Sequence, residues 1–341
     1  MCGLAGIIDL EGRSADPEIL GAMAESLNHR GPDDRGEFYD GQVGLALRRL
    51  AIIDLEHGHQ PMTSDGATIV LNGEIYNYVE LREELKSRGH RFRTTSDTEV
   101  VLRMYLEYGT DAIRRLNGMF AFLLYDPARG RVVAARDHFG IKPLYYTRAA
   151  GQLLFASEIK ALLRHPAVRA EADDEALQEY FTFQLVLDDR TMFRNVHKVR
   201  PGNYQVIDLS SGTSRATCFW EPRFDVDTSH TESWFTERLR HLLDDSVRLQ
   251  LRSDVPVGAY LSGGTDSSLI TTLASKHLGR PLDVFTGAFQ EGPRFDESPY
   301  ARMVAESTGA RLHMVHPTAD QVLEVLPALV RSMDEPAAGP G

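Results

Sequence analysis

Phe120-Ala121-Phe122-Leu123-Leu124-Tyr125 is followed, one aspartate later, by Pro127-Ala128-Arg129-Gly130 and then by Arg131-Val132-Val133-Ala134-Ala135-Arg136. Two apolar runs joined across a Pro and Gly turn read as an antiparallel hairpin. The surrounding sequence repeats the theme. Val43 to Ile53, Thr68 to Tyr76 and Leu153 to Ala156 read as strands, and Ala149-Ala150-Gly151 as a second hairpin connection. Pro17 to Leu27, Val79 to Ser87 and Thr98 to Tyr108 carry apolar residues at a spacing near 3.6 and read as helices. Hairpin-linked strands with helices between them predict an α+β layered domain built on antiparallel sheets.

The pattern changes after Val206-Ile207-Asp208. Ser210-Ser211-Gly212-Thr213-Ser214 is a turn, and the polar stretch from Pro222 to His230 reads as an interdomain linker. The boundary falls near residue 220: a first domain over 2–215, a linker over 216–230, a second domain over 231–341. Ser229 and Glu232 fit a capping box for a long helix with an apolar stripe of Phe235, Leu239, Leu242, Leu243, Val247 and Leu251. Strand Val257 to Leu261, helix Ser267 to Leu278, strand Leu282 to Phe285 and helix Tyr300 to Thr308 then alternate, which predicts a parallel α/β domain.

The chain has 341 residues, enough for two domains with a core each. Hydrophobic residues at 42% and charged residues at 25% exclude a disordered chain. The net charge of −12 argues against a nucleic-acid or anionic-membrane surface, and no stretch approaches the roughly 20 apolar residues of a membrane span. Met1-Cys2-Gly3-Leu4 has no basic n-region, and two cysteines, Cys2 and Cys218, make no disulfide framework. A cytoplasmic protein without nucleic-acid or membrane partner is expected.

Cys2 follows the initiator methionine and is small enough for Met1 to be removed. Thiol and α-amine would then share one residue, and an amine of pKa near 8 accepts a thiol proton near neutral pH. By position alone, a cysteine filling a small apolar niche explains Cys2 as well. The rest of the chain supplies what an amide-cleaving thiol needs. Asn72 offers a side-chain amide and Gly73 a backbone N–H for an oxyanion. Arg49 ends a strand and fits a carboxylate, while Glu74 and Asp97 fit an ammonium. One cation site beside two anion sites complements an α-amino acid.

These residues stand in recognisable motifs: Cys2-Gly3-Leu4-Ala5-Gly6, His29-Arg30-Gly31-Pro32-Asp33, Arg49-Leu50-Ala51-Ile52-Ile53-Asp54, Asn72-Gly73-Glu74-Ile75-Tyr76-Asn77 and Ser96-Asp97-Thr98-Glu99. Asn117 to Phe122 and Arg136 to Tyr146 continue the series. Together, over residues 2 to 210, they resemble the class II glutamine amidotransferase domain. The resemblance implies an N-terminal-nucleophile hydrolase fold, an αββα sandwich. It also implies glutamine hydrolysis through a γ-glutamyl thioester on Cys2, an oxyanion hole of Asn72 and Gly73, and a glutamine grip by Arg49, Asn72, Glu74 and Asp97.

In the second domain, Ser262-Gly263-Gly264-Thr265-Asp266-Ser267-Ser268 follows an apolar strand and opens a helix. Gly263 and Gly264 let backbone N–H groups close around a polyphosphate at a helix N-terminus. Ser262, Ser267 and Ser268 add hydroxyls, and Asp266 beside phosphate implies Mg²⁺. The loop resembles that of ATP pyrophosphatases of the adenine-nucleotide α-hydrolase type. Joined to the first domain, and with Asp254 to Gly258, Phe295-Asp296-Glu297-Ser298 and Asp334-Glu335-Pro336, it resembles the glutamine-hydrolysing asparagine synthetase family.

That resemblance implies ATP and Mg²⁺ as cofactors, glutamine and aspartate as substrates, β-aspartyl-AMP as the ammonia acceptor, adenosine contacts at Leu261 and Gly287, and a homodimer. The family's Ser-Gly-Glu-Gly loop and downstream lysine are not in the sequence, which ends Ala337-Ala338-Gly339-Pro340-Gly341. A partial synthetase domain, poor at making asparagine alone, is therefore expected. An amidotransferase for another carboxylate, a glutaminase alone, and a binding protein without turnover are the competing readings. His57-Gly58-His59 reads as an exposed turn, Cys218 as a small core or linker residue, and Trp220 and Trp234 as packing at the domain junction.

Overall fold

The structure is a computed structural model that describes residues 1–289, 292 and 296–336. Phe295 and the Ala337–Gly341 run lie outside the described residues. The chain divides into two compact units, Met1–Pro222 with the residues from Met333 on, and Arg223–Ser332.

The first unit runs β1 (Gly3–Asp9), α1 (Pro17–Glu25), β2 (Asp34–Asp40), β3 (Val43–Arg49), β4 (Met62–Ser64), β5 (Ala67–Ile75), α2 (Tyr78–Ser87) and α3 (Asp97–Tyr108). It continues with β6 (Gly118–Asp126), β7 (Arg131–Arg136), β8 (Tyr145–Ala149), β9 (Gln152–Ala156), α4 (Ile159–Leu162), α5 (Asp174–Phe183), β10 (Val196–Lys198), β11 (Asn203–Asp208) and β12 (Ser214–Cys218). Two six-stranded sheets form, ordered β10-β8-β9-β1-β3-β2 and β12-β11-β7-β6-β5-β4, and every pairing is antiparallel. The β6–β7 hairpin pairs Tyr125 with Val132, and Asp126 Oδ1 accepts from Arg129 N at 3.1 Å to close the turn.

Strand β6 shows how the layers arise. Phe120, Phe122 and Leu124 pack toward α3, in a core with Val101, Met104 and Tyr105. The alternate residues Ala121, Leu123 and Tyr125 pack toward the other sheet, with Leu4, Ile8, Leu45 and Leu47. A period of two with both faces apolar requires a layer on each side. The outer face of the first sheet is covered likewise: Ile7 and Leu154 meet Leu20, Met23 and Leu162 of α1 and α4. Helix, sheet, sheet, helix is the sandwich of the N-terminal-nucleophile hydrolases.

Strand β1 has no counterpart among the expected strands. All seven of its residues are buried, so no alternation of polar and apolar residues marks it. Strand β3 stops at Arg49 rather than Ile53, because from Leu50 on the backbone turns to wrap the Cys2 thiol and the Arg49 guanidinium. Cys218 is exposed at the end of edge strand β12, not a core residue.

The second unit runs α6 (Glu232–Gln250), β13 (Gly258–Tyr260), α7 (Thr265–Leu278), β14 (Asp283–Gly287), α8 (Ser298–Thr308), β15 (Arg311–Val315) and α9 (Ala319–Met333). Its three strands are parallel, in the order β13-β14-β15. Leu261, Ala274, Leu282, Val284, Ala301 and Ala305 form its core. The expected cap of α6 is corrected: Thr231, not Ser229, accepts from Trp234 N at 3.3 Å, while Ser229 Oγ turns back to Asp227 at 2.7 Å. Trp220 packs on His138 and Phe139 inside the first unit, and Trp234 stacks at 3.8 Å on His230, just before the start of its helix.

Candidate active site

Cys2 enters β1 with its side chain 9% exposed. Leu50 N donates to its sulfur at 3.4 Å, and the thiol faces Leu50 O at 3.6 Å. Arg30 Nε donates to the Cys2 carbonyl at 2.9 Å and fixes the backbone at the nucleophile. Burial raises the thiol pKa; Leu50 opposes that, and the nearby Glu74 charge adds to it. A thiol in this setting needs a base to ionise. The α-amine of Met1, which starts the chain in this structure, has its pKa lowered by burial.

Asn72 lies in β5 opposite Ala121 and is fully buried. Its Nδ2 donates to Ser157 Oγ at 3.5 Å, and Ser157 Oγ also accepts from Leu4 N at 3.0 Å, two residues beyond the nucleophile. One hydroxyl therefore ties the amide of Asn72 to the strand that carries Cys2. Gly73 follows, where a Cβ would sit 2.1 Å from Met119 O and 2.6 Å from Phe120 Cα. Only glycine lets β5 and β6 approach so closely here, at one of the two residues expected to hold an oxyanion.

Glu74 and Asp97 complete the corner. Asp97 starts α3, is 4% exposed, and its Oδ2 accepts from Ile75 N at 2.9 Å. Burial raises the pKa of Glu74, and Asp97 raises it further; burial raises that of Asp97 too. A half-buried Glu74 carboxyl that feels the charge of the buried Asp97 carboxyl calls for a cation. Asn72 Oδ1 and Glu74 Oε2 are both buried without a hydrogen-bond partner, so the corner is short of donors that a ligand would bring. Arg49 is 6% exposed, with Nη2 donating to Ile53 O at 2.9 Å and Asp54 O at 2.7 Å. With Nη1 donating to Leu55 O at 3.4 Å as well, backbone carbonyls orient the guanidinium and engage both arms of the fork expected to grip a carboxylate.

Sequence reasoning did not single out Leu50, Ser157 or Lys142. Lys142 is 5% exposed, and burial lowers its pKa while Glu74 opposes the shift. It stands in the Arg136 to Tyr146 motif, a signal that was available; Ser157 carries none beyond its place after β9.

In the second unit, Leu261 is in the core and Gly287 ends β14; both border a cleft of about 370 Å³ with Tyr260, Ser262, Phe285 and Thr286. Gly263 has φ +94, and its missing Cβ would meet Glu297 O at 2.8 Å. Gly264 caps α7 with no side-chain hydrogen bond, leaving first-turn N–H groups to an anion. Ser262 Oγ pairs with Ser267 Oγ at 3.0 Å across the turn. Ser268 N is used within the helix, on Gly264 O, and Asp266 is exposed in the first turn. Among the described residues no three His, Cys, Asp or Glu groups cluster as a metal site, and no helix is long and apolar enough to cross a membrane. His57 and His59 are exposed and pair with Asp54 and Asp34.

Residues 1–220 match the family described as glutamine amidotransferase domain, and residues 238–341 match asparagine synthase. The asparagine synthetase [glutamine-hydrolyzing] 1 of Bacillus subtilis (strain 168) is 40% identical over 345 residues, covering 100% of this chain and 54% of that protein. A putative asparagine synthetase [glutamine-hydrolyzing] of Mycobacterium bovis is 38% identical, covering 100% and 55%. The chain thus spans about half the length of the curated relatives it matches. A solved structure described as the allosteric regulatory enzyme of purine biosynthesis covers 92% of this chain and 80% of its own, with a TM-score of 0.50 at 17% identity, a likeness of fold alone. Over residues 1–220, most of its length, the chain belongs to the glutamine amidotransferase domain family, with a segment of the asparagine synthase family after it.

Proposed function

We propose that the first unit hydrolyses glutamine at Cys2, and that the whole protein delivers the ammonia to ATP-activated aspartate to give asparagine, AMP and pyrophosphate. The observation that carries the first half is the corner of β5. A buried thiol whose pKa is raised by burial and by the nearby Glu74 charge, an Asn72 amide held through Ser157 to Leu4 of the strand that Cys2 enters, and orphaned polar atoms on Asn72 and Glu74 support it.

After Met1 is removed, the α-amine of Cys2 takes the thiol proton and the sulfur attacks the side-chain carbonyl of glutamine. The free Nδ2 hydrogen of Asn72 and the N–H of Gly73 hold the oxyanion. The proton returns from the ammonium to the leaving nitrogen, ammonia departs, and water hydrolyses the thioester to glutamate. Arg49 faces the α-carboxylate, and Glu74 and Asp97 receive the α-ammonium, which repays their mutual repulsion. A reducing, cytoplasmic setting keeps this thiol reduced.

The second half rests on the uncapped start of α7, the Ser262–Ser267 turn and the cleft bordered by Leu261 and Gly287, read as a seat for ATP. Mg²⁺ would come with the nucleotide. A lone exposed Asp266 fits an ion held mostly by phosphate oxygens and water. The relatives' names support aspartate over another carboxylate as acceptor.

The test is glutamate release from glutamine by the purified chain and its Cys2→Ala variant. Loss in the variant supports the reading; equal release from both sinks it.

A further inference from the structure

Four consecutive residues, Ser157-Glu158-Ile159-Lys160, lead from the end of β9 into the first turn of α4, and the proposed catalytic groups hang on them. Ser157 Oγ holds Leu4 N and Asn72 Nδ2, and Ser157 N donates to Leu4 O at 3.0 Å. Glu158 Oε1 accepts from Arg30 Nη1 at 2.8 Å, and Arg30 Nε holds the Cys2 carbonyl at 2.9 Å. The stretch thus fixes the nucleophile through one residue and the oxyanion amide through its neighbour.

The other side of the stretch is pinned by a residue 175 positions away from Ile159. Asp334 Oδ2 accepts from Ile159 N at 2.7 Å and from Lys160 N at 3.3 Å, and its Oδ1 lies 3.0 Å from Lys160 Nζ. Lys160 Nζ also pairs with Glu158 Oε2, so Asp334, Lys160, Glu158 and Arg30 alternate in charge as far as Cys2. The side chains of Arg30, Glu158 and Asp334 are each under 10% exposed. Asp334 takes a left-handed backbone, φ +61, and Glu335 beside it accepts from Met192 N at 2.7 Å.

We propose that Asp334 is a positioning residue for glutamine hydrolysis: by holding Ser157–Lys160 it sets the Cys2 carbonyl and the Asn72 amide. The inference rests on the proposed glutaminase reading. Within a buried chain of alternating charge, removal of one end shifts the others. Without Asp334 the whole Lys160 charge falls on Glu158, Arg30 loses part of its partner, and the N-terminal turn of α4 loses its acceptor. Burial pushes the Glu158 carboxyl up, and Lys160 and Arg30 hold it below the usual range all the same.

The experiment uses the full chain in a Cys218→Ser background, with Asp334→Ala, Asp334→Asn, Asp334→Glu, Lys160→Met and the Asp334→Ala/Lys160→Met double variant. Glutamate release gives kcat and KM, and iodoacetamide alkylation gives the reactivity of the Cys2 thiol. Asp334→Ala is expected to lower kcat about tenfold with KM within about twofold, a loss the size of one charged hydrogen bond. Asp334→Glu recovers part of that loss, and the double variant is no slower than the slower single one. An unchanged kcat, a loss that tracks the melting temperature across the variants, or additive losses overturn the proposal. Asp334→Asn, which keeps the shape, replaces Asp334→Ala if the latter does not fold. A background chain that releases no glutamate refutes the glutaminase reading instead; alkylation then still reports whether Asp334 sets the thiol, and equal rates in all variants overturn the proposal.

Discussion

Leu50 meets the thiol of Cys2 with both of its backbone polar groups: its N–H donates to the sulfur at 3.4 Å, and its carbonyl oxygen lies 3.6 Å from it. The nucleophile is thereby fixed by backbone that no side-chain substitution at Leu50 removes. The proposed proton acceptor is the α-amine that removal of Met1 would free on Cys2.

Retention of Met1, or a short N-terminal extension that resists removal, converts that amine to an amide without basicity. Glutamate release should fall by about a hundredfold or more, the share of a general base. The check is mass spectrometry of the chain start alongside the glutaminase rate. Full activity in a chain shown to keep Met1 would count against the amine as base.

Glu74 and Asp97 both have pKa values raised by burial. As pH rises from about 4, the unfolded chain releases these two protons while the folded chain keeps them, so stability falls with pH until the folded carboxyls ionise. Glu74→Gln removes one of the pair. It should raise the melting temperature of the ligand-free chain near pH 7 and abolish its stabilisation by glutamine. Thermal unfolding from pH 4 to 9, with and without glutamine, measures both.

Gly73→Ala places a methyl 2.1 Å from Met119 O. Backbone cannot yield as a side-chain tip does, so a stability loss of about 2 kcal/mol or more is expected. Glutamate release is expected to be lost with it, because the strand that carries the oxyanion donors moves. Denaturant unfolding and the glutaminase assay together test this.

Gly263→Ala meets both a left-handed backbone, φ +94, and Glu297 O at 2.8 Å. The turn before α7 opens, and ATP affinity should drop about tenfold or more, the loss of one or two phosphate hydrogen bonds. The thermal shift produced by ATP in each chain reads it directly.

Much of the fold was legible because its signals are local. The β6–β7 hairpin, α1 to α3 and the strand–helix alternation from β13 to α8 follow from periodicity and turn residues, with ends off by a few residues; β15 and α9 were not among the expected elements. Strand β1 and the end of β3 were not legible in this way. A strand buried on both faces has no alternation, and β3 stops for Cys2 and Arg49, whose needs are tertiary.

The same division holds at the site. The groups the proposed chemistry needs could be read from the chain alone: a thiol at position 2, Asn72 and Gly73 as candidate oxyanion donors, Arg49, Glu74 and Asp97 as candidate amino-acid contacts, and a glycine turn before α7. Side-chain type limits what each group can do wherever it sits. What holds these groups in place came only with the packed fold. Leu50 on the sulfur, Ser157 between Leu4 and Asn72, and Asp334 on Ile159 and Lys160 span 48, 153 and 175 positions of chain. Contacts across such separations follow from how the layers pack, which no local pattern of residues encodes.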